Sequence, residues 1–173
     1  NRPQVDHTIQ LSLYPDNANA ATTWTFDDTG NLTAPGNIIA NTDTPNTVPV
    51  FTLSTSGKID LGSTNHNITA SGEAPLALVL PTLQGTGGIT KLGASGLRLD
   101  GPGTWYTGAT TLSAGTLFLG VANAVPYGST FTMAGGSRLD LNGVAQTLSQ
   151  LSGAGDITDN GAAATLTFGL NNA

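Results

Sequence analysis

The groups able to do chemistry in this chain of 173 residues are few: eleven carboxylates, two histidines, five Lys plus Arg, and no cysteine. Without Cys there is no thiol nucleophile, no Cys-based zinc site and no disulfide framework. Three carboxylates invite comparison with polysaccharide cleavage, which uses paired Asp or Glu on one face. Asp60 (IDLG), Asp100 (LRLDG) and Asp140 (LDLNG) each sit inside or just after an apolar-x-apolar element. Asp60 and Asp140 lie between two apolar residues and are expected to point outward, whereas Asp100 follows Leu99 and breaks the row. Arg98 and Arg138 share the outward register, so a ladder of charge-paired, solvated positions is expected rather than an acid pair.

Two oxygen-rich runs, Asp27 to Asn31 (DDTGN) and Asp156 to Gly161 (DITDNG), carry the ligand types Ca²⁺ prefers. Neither has EF-hand or calcium-nonapeptide spacing, and Asp and Asn are the ordinary residues of tight turns. No metal and no cofactor is expected. His7 and His66 have no Ser or acidic partner at triad-like spacing, and G-x-S-x-G is absent. Gly85-Thr86-Gly87-Gly88 lacks the Lys-Ser/Thr and the following helix of a phosphate loop. Trp105 and Tyr106 follow a Gly-Pro-Gly corner. Adjacent strand residues face opposite sides, so one of the pair packs inside and the other is available to a sugar or a partner protein. Both are candidate surface-contact residues, in a chain expected not to be an enzyme.

The elements that must position these groups are written in the composition. With 38% hydrophobic residues, 9% charged residues, mean hydropathy +0.02 and 23 Gly, the chain is too apolar for disorder and too poor in Glu, Lys and Arg for a helix bundle. Net charge −6 and pI near 4.3, with no basic cluster, exclude nucleic acid and anionic membranes as partners. The longest apolar run, Ala74 to Leu80, is far short of the roughly 18 residues of a transmembrane helix. Starting at Asn1 and stopping at Ala173, the sequence reads as a piece of a larger protein.

Apolar pairs separated by one residue recur at Ile59, Leu78, Leu97, Leu117, Leu139 and Leu166, at steps of 19, 19, 20, 22 and 27 residues. A second track, Ile68, Ile89, Thr110/Leu112 and Phe131/Met133, runs about 21 residues apart. Alternation within each element is the period of a strand with one buried face. Recurrence of the same pair every ~20 residues favours a parallel β-helix over an antiparallel sandwich, because equivalent strands then stack at about 4.8 Å. Gly115, Gly135, Gly136 and Gly153 supply the corners.

The stretch GTGGITKLGASGLRLDGPGTWYTGATTLSAGTLFLG (Gly85 to Gly120) closely resembles the autotransporter-associated β-strand repeat of bacterial autotransporter passengers. Ser129 to Thr158, with GGSRLDLNG then QTLSQLSGAGDIT, is similar to the segment that follows that repeat. The likeness is specific in order and spacing over about half the chain, although Pro102-Gly103-Thr104-Trp105 departs from the pattern and one repeat stands where an array is usual. It implies a right-handed parallel β-helix exported to the bacterial cell surface. The implied role is a non-catalytic stalk or adhesin, monomeric, with a host or cell-surface protein or glycan as partner and no membrane insertion of this segment.

Trp24 to Gly36 (WTFDDTGNLTAPG) reads as a hairpin with Asp28-Thr29-Gly30-Asn31 at its tip, and is similar to a short phage tail or fibre module. That resemblance implies the alternative of a trimeric receptor-binding fibre; a carbohydrate-active β-helix enzyme is a second alternative. NTDTPNTVP, Asn41 to Pro49, reads as a linker. The expected division is therefore residues 1–50 as an N-terminal cap or small β module and 51–173 as the β-helix.

Overall fold

A computed structural model describes residues 9–13, 22–26, 32–33, 38–42, 51–52, 58–72, 75–102 and 106–169. Period-2 alternation with Gly, Asn and Pro between the pulses leaves short strands as the only regular structure, and among the described residues there is no helix. The strands stack in parallel about 20 residues apart and form a β-solenoid of about five turns.

Three sheets form its faces. The first joins β1 (Ile9–Leu13), β2 (Thr22–Phe26), β3 (Leu32–Thr33), β6 (Lys58–Asp60) and β9 (Thr82–Gln84). The second stacks β4 (Ile38–Thr42), β7 (His66–Gly72), β10 (Ile89–Leu92), β12 (Thr110–Leu112), β14 (Thr130–Met133) and β17 (Gln150–Gly153). The third stacks β5 (Phe51–Thr52), β8 (Leu76–Leu80), β11 (Gly96–Leu99), β13 (Thr116–Leu119), β15 (Arg138–Asp140) and β18 (Asp156–Thr158). A separate pair, β16 (Gln146–Leu148) and β19 (Leu166–Phe168), carries the last turns.

Among the described residues all strand pairings are parallel except β1–β2 and β2–β3. The hairpin expected at Trp24 to Gly36 is present as β2–β3, with Phe26 opposite Leu32; its expected tip lies outside the described residues. Before residue 50, β3 pairs in parallel with β6 and β4 with β7.

The core is a set of vertical ladders. On the third sheet Leu78, Leu97, Leu117, Leu139 and Ile157 stack, and beside them Leu80, Leu99 and Leu119. Leu78, Leu97, Leu117 and Leu139 are completely buried. Each contributes about 1.5–3 kcal/mol of burial. The two outer members of the expected Leu ladder belong elsewhere: Ile59 pairs with Leu83 on the first sheet, and Leu166 pairs with Gln146. The second track is also shifted by two residues. Ile89 stacks on His66, Thr110 and Phe131, while Ile68 stacks on Ile38 and Lys91, followed by Leu112 and Met133. Three inward-alternating faces share one local pattern, so alternation alone assigns neither the face nor a two-residue register.

Corners need residues without bulk. Gly115 has φ +67°, and a Cβ there would meet the carbonyl oxygens of Gly93 and Ser95 at 2.5 and 2.6 Å. The spacing of the coils therefore admits only glycine at that bend.

Candidate functional site

Of the two aromatic candidates, Tyr106 is 1% exposed and its hydroxyl shares a 2.8 Å hydrogen bond with Thr110 Oγ1 inside the solenoid. Burial pushes its phenol well above the ordinary tyrosine range. Tyr106 is thus a core residue, the inward-packed member of the pair, and its backbone bridges Gly85 in the neighbouring coil. Trp105 lies outside the described residues.

The three carboxylates occupy two faces. Asp60, on the first sheet, accepts from the Gly62 amide at 2.7 Å and from Gln84 Nε2 at 3.2 Å. Asp100, after β11, holds Arg98 in a bidentate pair at 2.6 and 2.7 Å. Asp140, expected outward and solvated, is 1% exposed. Its oxygens accept from the amides of Asn142 (2.9 Å) and Asn160 (3.1 Å) and from Asn160 Nδ2 (2.5 Å). The coil below closes over it, which corrects the expected ladder of Asp140 with Arg138. Arg98 pairs within its own coil, while Arg138 stands exposed opposite Asp156. Each carboxylate is a local organiser of loops, and the three are not brought together.

The remaining sequence candidates have structural duties. Asp159, in the Asp156–Gly161 turn, accepts from the amides of Gly143, Gly161 and Ala164 at 2.8, 3.3 and 2.9 Å, the work of a turn-forming aspartate. Asp27 to Asn31 and His7 lie outside the described residues. His66 is buried, and its Nε2 donates to the Leu61 carbonyl at 2.9 Å. In the Gly85–Gly88 run, the amides of Thr86 and Gly87 donate to the Gly62 carbonyl and that of Gly88 to Asn65 Oδ1. Those N–H groups hold the preceding coil, and a Cβ at Gly88 would meet Asn65 Oδ1 at 2.7 Å. Among the described residues no three His, Cys, Asp or Glu converge on one point, and no helix is long and apolar enough to cross a membrane.

Three features escaped sequence reasoning. Lys91 takes an inward ladder position between Ile68 and Leu112 and is completely buried. Its Nζ donates to the carbonyls of Leu92 (2.9 Å), Gly93 (2.8 Å) and Ala114 (3.1 Å), so all three ammonium hydrogens are used. Desolvation lowers its pKa to about 8. Gln146, at the start of β16, bonds the neighbouring coil through its side chain: its amide accepts from Val125 N (3.1 Å) and donates to Val125 O (3.0 Å), imitating a backbone ladder. Finally, the last coil is open. Gly153 stands below Met133 in the ladder, leaving a cleft of about 250 Å³ between Met133, Leu151, Gly155 and Ile157.

The outward sides of the sheets differ in charge. Arg98, Arg138 and Asp156 project from the third sheet, with Asp100 beside them, and Lys58 and Asp60 lie on the first. From β7 to β17 the second sheet's ionisable residues are His66 and Lys91, and both point inward. Its outward positions carry hydroxyls and amides, together with the apolar side chain of Leu92.

Compared with known proteins, the chain matches no family model, no curated protein and no solved structure.

Proposed function

We propose that the chain is a non-catalytic structural and adhesive segment of a surface-displayed bacterial autotransporter passenger. The observation that carries the reading is where the Gly85–Gly120 motif falls: its four apolar pulses are β10, β11, β12 and β13, two consecutive coils of the solenoid. A repeat written at coil pitch makes a stiff rod, held by inter-coil hydrogen bonds and Leu ladders, and it acts through its outer faces. Engagement of Asp60, Asp100 and Asp140 by neighbouring donors fits a scaffold better than an acid–base pair.

Beads coated with the chain are expected to adhere saturably to host cells or glycan-bearing surfaces and to leave the glycans uncut. Adhesion no better than that of albumin-coated beads would overturn the reading. The alternative, a receptor-binding fibre component, draws on the β2–β3 hairpin within Trp24 to Gly36. Sedimentation equilibrium separates the two: the passenger reading expects a monomer, and a stable trimer favours the fibre.

A further inference from the structure

We propose that the outer face of the second sheet is the adhesive surface and that it takes a neutral, extended polysaccharide. This names the ligand class of the adhesive reading above and rests on it. Asn67, Thr90, Thr111, Thr132 and Ser152 stand in one vertical row, one per coil, across β7, β10, β12, β14 and β17. At about 4.8 Å per strand the row is about 19 Å long.

The absence of charge selects the partner. In a chain of net charge −6, the outward positions of these five strands hold no ionisable side chain, while among the described strands the outward charged residues lie on the first and third sheets. An anionic polymer or a charged peptide finds no counter-charge here, and would lose hydration without forming a pair. Hydroxyls both donate and accept, as sugar hydroxyls do, so a polyhydroxylated neutral chain has the complementary hydrogen-bonding capacity. The coil spacing is also close to the advance of one ring in an extended β-linked glycan.

The row is held in place before any ligand arrives. Thr132 Oγ1 and Ser152 Oγ share a 3.2 Å hydrogen bond, and beside them Thr130 Oγ1 donates to Gln150 Oε1 at 3.3 Å. Thr is stiff at χ1, so little side-chain freedom remains to be lost on binding. Each sugar contact replaces one with water and gains little alone, so affinity depends on several contacts in register along the row.

Depletion isotherms with the whole chain on amorphous cellulose and on chitin, with pectate as the anionic control, test the assignment. Saturable binding to at least one neutral polymer and none to pectate is expected. The double variant T111V/T132V, which removes two hydroxyls at nearly constant volume, should bind at least tenfold more weakly with an unchanged urea midpoint. T111S/T132S should restore binding, and R138T, on the third sheet, should leave it unaltered. Undiminished binding by T111V/T132V, preference for pectate, or no retention on either neutral polymer would overturn the proposal. A dimer of the parent that T111V/T132V converts to monomer would also overturn it, by giving the face to a second copy. The bead assay keeps the two readings apart: adhesion to cells without retention on glycans removes this face alone, while failure of both removes the adhesive reading too.

Discussion

The coils from Lys58 to Leu141 and the segment from Gln150 to Phe168 have the same alternating sequence but different interiors. Leu78, Leu97, Leu117 and Leu139 are sealed, whereas Ile157, next in that ladder, is 41% exposed and Phe168 is 62% exposed. A strand of this solenoid does not bury its own apolar face; the next coil does. Stability is therefore a sum of nearest-neighbour interfaces, and one side-chain type has a different value in the middle and at the end.

The largest contrast is expected from one substitution made in both places. Leu99→Asp puts a carboxylate into a fully enclosed ladder between Leu80 and Leu119, neither of which offers it a hydrogen-bond donor. It should cost about 4 kcal/mol or more, a large part of a typical domain's stability. Ile157→Asp meets water and should change stability by less than about 1 kcal/mol. Urea midpoints measure both. Equal losses would mean that the last coil is covered in solution.

A smaller contrast separates two glycines that both have positive φ. Gly115→Ala forces a Cβ against the Gly93 and Ser95 carbonyls at 2.5 and 2.6 Å, in addition to its unfavourable φ of +67°. Gly136, at φ +80°, has nothing within 4 Å of the added carbon. Gly115→Ala should therefore cost about 3 kcal/mol and Gly136→Ala about 1 kcal/mol, the latter from backbone conformation alone. Thermal melts that rank them the other way would contradict the close coil contact at Gly115.

How much of this was legible depends on which signals are local. The ladder Leu78, Leu97, Leu117 and Leu139 could be read because motif and pitch agree over four coils. Ile59 and Leu166 carry the same motif on other faces, and nothing local separates one inward-facing strand from another. Lys91 and Asp140 were hidden for a different reason. Charge implies solvent by default, yet three corner carbonyls enclose the one and a neighbouring coil's Asn160 caps the other. Those partners are 20 or more residues away or on the backbone, where side-chain spacing gives no clue. The neutral second face became visible only once the register showed which alternate residues point outward.

Lys91 and Tyr106 give the closed coils a pH response that the open end lacks. Below pH 8 Lys91 is charged in both folded and unfolded chains, and its desolvation penalty is constant. Between about 8 and its ordinary value of 10.5 the unfolded chain holds the proton and the folded chain does not, so stability rises with pH. Tyr106 acts in the opposite sense. Its folded pKa lies above the ordinary 10.0, so above pH 10 the unfolded chain loses a proton that the folded chain keeps, and stability falls. Urea midpoints should climb from pH 8 to about pH 10 and then decline. Lys91→Met, which gives this ladder position the residue type found at Met133, should abolish the climb while leaving the decline. Tyr106→Phe should do the reverse. Ile157→Asp should alter neither limb, because it touches no group that titrates in this range. An unchanged climb in Lys91→Met would mean that the ammonium reaches solvent and that the corner of carbonyls does not enclose it.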